Sequence, residues 1–223
     1  MEYTAKTSKS ILELLSARQK LYHFLNLLFS KPLDASSLSE IRENGALKEL
    51  KKLDSGGMLL GEFLLTCRLD DLKNEQEEFC SLFNGPGCIK APPWESFYTS
   101  REQILFGEST LKVRETYRQY GLKYKHENRY PDDHLIIELE YMMTLNKECT
   151  ANMDPCHVSK LLERQVEFLE RHLALWIPQF CDRIIACTDS KLYSGAASVL
   201  RDFILFDVDL LKEIKEEIAH AEK

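Results

Sequence analysis

Apolar residues spaced three and four apart recur along nearly the whole 223-residue chain, and no stretch alternates apolar with polar residues between hairpin turns. Side chains three and four apart share one helix face, whereas strands need a period of two, so the pattern restricts the chain to helices packed on helices. In "SILELLSARQKLYHFLNLLFSKPL", Ile11, Leu14, Leu15, Leu21, Tyr22, Leu25, Leu28 and Phe29 lie at helical spacing until Pro32 ends the run. "SSLSEIRENGALKEL" predicts a short helix broken at Gly45, and "GGMLLGEFLLTCRLDDLKNEQEEFCSLF" predicts one or two more. A further helix starts at Ser109, with Gly121 as its C-terminal cap. "DDHLIIELEYMMTL" carries a stripe of Leu135, Ile136, Leu139, Met142 and Met143, with Asp132 and Asp133 at its positive end. Leu162, Val166, Leu169, Leu173 and Trp176 align on the next helix, which Pro178 is expected to break or restart. Ser190 caps the last one. The fold class is all-α.

One joint interrupts this series. Residues 126–133, within "KYKHENRYPDD", are polar and mixed in charge, and they fit two readings. They are either a hinge between an N-terminal lobe (about 1–125) and a C-terminal lobe (about 134–223), or a polar loop between helices.

The net charge of −7 argues against nucleic acid as a partner, because phosphate binding needs clustered lysine and arginine. The opening residues lack the apolar segment and small-residue cleavage site of a secretory signal. No apolar run approaches the roughly 20 residues that span a bilayer. Seven cysteines form no C-x-x-C pair, which points to reduced thiols rather than a zinc ribbon or a redox dithiol. A cytoplasmic protein is expected.

The sequence contains no G-x-S-x-G, no phosphate-binding G-x-x-x-x-G-K-[ST], no G-x-G-x-x-G and no H-E-x-x-H. Asp132, Asp133, His134 and Glu138 are the one cluster rich in reactive side chains. Adjacent helical residues point about 100° apart, so converging on a metal is difficult. The plain reading is a helix start whose carboxylates cap backbone N–H groups. The stretch "LFNGPGCIKAPPWESFY" is the other anomaly, since Gly85, Pro86, Gly87, Pro92 and Pro93 must halt the helices there. Its aromatic residues Phe83, Trp94, Phe97 and Tyr98 either anchor a long loop or form a stiff apolar surface suited to a peptide.

Taken in order, "LF-GP", "APPWES-Y", "R-----FG-ST", "R--Y---G" and "P-DH---EL" resemble the TorD/DmsD family of cytoplasmic chaperones, most closely its DmsD branch. The strong match spans roughly residues 77–143, and a looser one continues through "HLALWIPQF" and "KLYSGAASVL". The resemblance implies a single TorD-like domain of about ten helices, with N- and C-terminal helices meeting near "PDDH". It implies no catalysis and no cofactor held by the chain itself. Its partner would be the twin-arginine signal peptide and precursor of a molybdoenzyme of dimethyl-sulfoxide-reductase type, held until cofactor insertion, with transient contact to the twin-arginine translocase. The peptide site implied is Phe79, Leu82, Phe83, Trp94, Arg101, Pro131, Asp133 and His134. Phe79 stands where close relatives often carry tryptophan, so the indole donor is lost. Asp133 would take a peptide guanidinium while the aromatic loop takes the apolar run. Two alternatives stay open: a chaperone for the folded body of a nitrate-reductase-like enzyme, and a metal- or nucleotide-dependent helical enzyme. The oligomeric state is open between a monomer and a swapped dimer.

Overall fold

The two longest apolar stripes become the two longest helices of the computed structural model, α1 (Glu2–Ser30) and α10 (Lys191–Ala221). The structure describes residues 2–43, 47, 50, 55–85, 87–100, 107–124 and 131–221. Between the long helices run α2 (Ala35–Glu43), α3 (Ser55–Thr66), α4 (Leu72–Phe79), α5 (Glu95–Thr99), α6 (Glu108–Gln119), α7 (Leu135–Ala151), α8 (Pro155–Phe168) and α9 (Ala174–Cys187). Two π turns, Cys80–Asn84 and Leu169–Leu173, interrupt the helical ladder. Among the described residues there is no strand, only an isolated antiparallel bridge between Trp94 and His134. None of the described helices is long and apolar enough to cross a membrane.

The helix ends follow the local chemistry. Gly121 adopts φ 69°. Its N–H bonds the Arg118 carbonyl and that of Leu122 bonds Tyr117, the paired bonds of a Schellman cap that close α6. Ser190 Oγ accepts from the Tyr193 N–H at 3.2 Å and starts α10. Pro178 behaves differently from expectation: α9 runs straight through it. The ladder widens one turn earlier, where the Ala174 N–H reaches back to the Leu169 carbonyl. Trp176, Ile177, Phe180, Cys181 and Ile184 are buried along this helix. Full burial of each large apolar side chain contributes about 1.5–3 kcal/mol, which together outweighs the roughly 3 kcal/mol of an interior proline.

Helices from both halves of the chain share one core. α1 lies along α7 and α10, and α3 crosses α10. At that crossing a Cβ on Gly195 would stand 2.9 Å from the backbone nitrogen of Leu60, so only glycine permits this approach. A buried polar network fastens α1 to the C-terminal helices. Arg18 donates to both Asp207 carboxylate oxygens at 2.5 and 2.7 Å, and to Asn146 and Gln165 at 2.6 and 3.1 Å. Tyr22 adds a third hydrogen bond to Asp207 at 2.6 Å. Of the expected joint at 126–133, residues 126–130 lie outside the described residues, while Pro131, Asp132 and Asp133 are buried.

Candidate functional site

The glycine- and proline-rich stretch begins where α4 loosens into its π turn. The carbonyls of Ser81 and Leu82 are taken by the N–H groups of Lys90 and Ala91, at 3.3 and 2.9 Å, which folds the loop back on the helix end. Pro92 and Pro93 then deliver the chain to α7. The Leu135 N–H donates to the Pro93 carbonyl at 3.0 Å, and the Glu95 N–H donates to the Asp133 carbonyl at 3.0 Å. "APPWES" and "PDDHL", far apart in sequence, are thus paired backbone to backbone. This pairing satisfies one of the N–H groups that the start of α7 would otherwise leave open.

The side chains of "PDDH" reinforce the joint. Asp133 is fully buried, and its two carboxylate oxygens accept from the Ser96 N–H and the Thr110 hydroxyl, each at 2.8 Å. Asp132, also buried, accepts from Nε and Nη2 of Arg114 at 2.6 Å each. The Tyr117 hydroxyl donates to the Asp132 carbonyl at 3.2 Å. The expectation that these aspartates cap their own helix is therefore corrected. His134 caps α7, its Nδ1 accepting from the Ile136 N–H at 3.2 Å, whereas Asp133 caps α5. Glu95 pairs with His172 at 2.9 Å from the second π turn. Glu138 takes the Trp176 indole N–H at 3.1 Å, and burial pushes its carboxyl well above the usual range. Asp132, Asp133, His134 and Glu138 thus serve four separate sets of partners and do not converge on one point. No group of metal-ligating side chains gathers elsewhere among the described residues.

Asp133→Asn is expected to lower folding stability by about 1–3 kcal/mol, because one of its two donors meets an amide N–H instead of an oxygen. Urea denaturation checks this. Because the carboxylate is sealed from solvent, the loss should persist in high salt. A loss that vanishes at 1 M salt would mean Asp133 is exposed.

An open recess of about 290 Å³ lies beside this joint. Phe79, Phe83, Trp94 and His134 line it, with Phe29, Asn84, Pro93, Tyr124, Ile136 and Ile137. Phe83 packs edge-on against Phe79 and Phe29, with ring centres 5.2 and 5.7 Å apart, so the recess has a rigid aromatic wall. The Trp94 and His134 rings meet edge to face at 5.3 Å. Burial lowers the His134 imidazole to about 4, with Asp133 opposing, so the ring is neutral near pH 7. With Nδ1 accepting, its proton sits on Nε2 as a donor. The Trp94 Nε1–H is buried and has no hydrogen-bond partner among the described residues.

The structure therefore gathers four of the residues implied by the resemblance around one recess. Leu82, Pro131 and Asp133 are buried behind its walls rather than lining it. Arg101 lies outside the described residues. Ile136 and Ile137 were not singled out as site residues. The sequence stripe assigned Ile136 to the core, yet it is half-buried at the recess while Ile137 and Tyr141 are buried. Thr110, Arg114 and Tyr117 were visible only as letters of the "ST" and "R--Y" motifs, and their partners now account for them.

A family model described as "Nitrate reductase delta subunit" matches residues 50–182. Chaperone protein TorD from Vibrio cholerae serotype O1 is 28% identical over 208 residues, covering 90% of this chain and 94% of its own length. The TorD chaperone of a Psychrobacter species is 25% identical over 215 residues, covering 93% and 95%. The fold is similar to the crystal structure of a candidate redox enzyme maturation protein from Archaeoglobus fulgidus, with a TM-score of 0.50 and 24% identity over 84% of this chain and 93% of that one. The family model covers more than half of the chain and includes the whole paired joint: the chain belongs to the nitrate reductase delta subunit family, the TorD family of chaperones rather than enzymes.

Proposed function

We propose that this chain acts in the cytoplasm by binding the twin-arginine signal peptide of a molybdoenzyme precursor, of dimethyl-sulfoxide-reductase type, until the cofactor is inserted. The observation that carries the reading is the recess itself. Phe79, Phe83, Trp94 and His134 come from two separated segments, and they combine an apolar wall with two N–H donors. Such a surface suits the apolar run of a signal, whose backbone carbonyls would accept from Trp94 and His134. The wall is held by core packing and prolines, so little chain entropy remains to be lost on binding.

Calorimetric titration with the signal peptide of the co-expressed precursor tests this. Trp94→Ala is expected to weaken binding by about 1–3 kcal/mol, the scale of an aromatic hot spot, while the half-buried position keeps the fold intact. Absence of heat with the wild-type protein would overturn the reading. A second reading, a chaperone for the folded body of a nitrate-reductase-like enzyme, is favoured by the description of the matching family model. It predicts equal capture of the precursor with and without its signal.

A further inference from the structure

The recess does not stop at Ile137. A second hollow of about 110 Å³ shares Tyr124 and Ile137 with the first and extends along α7 to Glu140, Tyr141 and Thr144. His134, Ile137, Tyr141 and Thr144 follow one another at helical spacing, so the two hollows form one groove along a single helix face. One end presents Trp94 and His134, and the other presents Glu140.

Glu140 is the one carboxylate lining either hollow among the described residues. Asp133, expected to meet arginine, and its acidic neighbours are committed elsewhere: Asp132 to Arg114, Asp133 to Ser96 and Thr110, and buried Glu138 to Trp176. Glu140 differs in each respect. Its residue is exposed, and its carboxylate makes no hydrogen bond or ion pair among the described residues. Partial desolvation raises its carboxyl above the ordinary value, with no positive neighbour acting against it. Lys123, which also lines this hollow, already has an interaction of its own. An unpaired, partly desolvated carboxylate beside the tyrosine rings of Tyr124 and Tyr141 fits a guanidinium by charge, by hydrogen bonding and by ring contact.

Resting on the signal-peptide reading above, we propose that Glu140 receives a guanidinium of the arginine pair and fixes the direction in which the peptide lies. The arginines sit at the Glu140 end, and the following apolar run passes Ile137 and Ile136 toward Phe79, Phe83 and Trp94. The rise of α7 from His134 to Glu140 is about 9 Å at 1.5 Å per residue. An extended peptide covers that distance in about three residues at roughly 3.3 Å each. The apolar run of a peptide lying this way must therefore begin within a few residues of the pair.

A double-mutant cycle tests this, using wild-type protein and Glu140→Gln, each titrated with the signal peptide and with a peptide carrying glutamine for both arginines. Glu140→Gln is expected to weaken the arginine peptide about tenfold, the scale of one charged hydrogen bond, and to leave the glutamine peptide unchanged. The tenfold difference should shrink as salt rises, because Glu140 is exposed. If wild type binds the arginine peptide but Glu140→Gln binds both peptides as wild type does, or weakens both equally, Glu140 is not the arginine site and the groove reading stands. If wild type binds neither peptide, the groove reading fails and this inference falls with it. Melting curves of Glu140→Gln that match wild type exclude loss through unfolding.

Discussion

Arg18→Ala is expected to lower folding stability by about 3–5 kcal/mol, the cost of leaving one partner of a buried ion pair uncompensated. Arg18 and Asp207 are 2% and 0% exposed, so water cannot take the place of the missing guanidinium. The substitution also strips a donor from Asn146 and Gln165. Among the described residues, Asp207 then keeps only the Tyr22 hydroxyl as a side-chain donor. Domains of this kind are stable by about 5–15 kcal/mol in total, so the loss is a large share. Urea denaturation followed by circular dichroism measures it as a lower midpoint at unchanged slope. A shift below about 1 kcal/mol would mean that the network is open to solvent. Replacing both partners, Arg18→Met with Asp207→Leu, should recover only part of the loss: it removes the uncompensated carboxylate but leaves Tyr22, Asn146 and Gln165 without their partners.

That network was invisible in the sequence for a physical reason. Arg18 and Asp207 each look like an ordinary polar residue on the face of an amphipathic helix, and only the crossing of α1 with α10 brings them together. What was legible is what short-range physics decides. The apolar periodicities, the proline stop at Pro32, the cap at Ser190 and the reversal at Gly121 all depend on neighbours within a turn or two. Pro178 marks where that reasoning reaches its limit. Local preference ends a helix there, but the burial of Trp176, Ile177 and Phe180 carries the helix through.

The candidate site divides along the same line. Its aromatic content was readable from "LFNGPGCIKAPPWESFY", and the structure places Phe79, Phe83, Trp94 and His134 on one recess. Which residues face outward was not readable. Asp133 was expected to take an arginine because the resemblance places it in the peptide site and it is acidic. The backbone pairing of Trp94 with His134 turns its carboxylate inward to α5 and α6 instead. Much of the motif that carries the family resemblance is therefore the fastening of the joint. Thr110, Arg114 and Tyr117 hold "PDDH", and "PDDH" holds "APPWES", so the recess keeps its shape because these residues are occupied with one another. A residue can belong to such a motif without touching a ligand.

Leu82 makes the distinction measurable. Its side chain is fully buried behind the aromatic wall. Leu82→Ala is expected to cost about 2–5 kcal/mol of stability, through lost transfer free energy and the cavity left behind. Its effect on the peptide should be indirect. If the wall formed by Phe79 and Phe83 keeps its place, the folded fraction of Leu82→Ala binds with nearly wild-type affinity. Trp94→Ala should show the reverse, a small change in the urea midpoint and a large change in affinity. Measuring both quantities on both variants separates the surface that meets the peptide from the packing that shapes it. Strong loss of affinity in fully folded Leu82→Ala would show that the groove opens deeper than the recess, with Leu82 as part of its floor. In that case the aromatic wall must move aside when the peptide enters, and the rigid, preorganised recess argued above gives way to one that opens on binding.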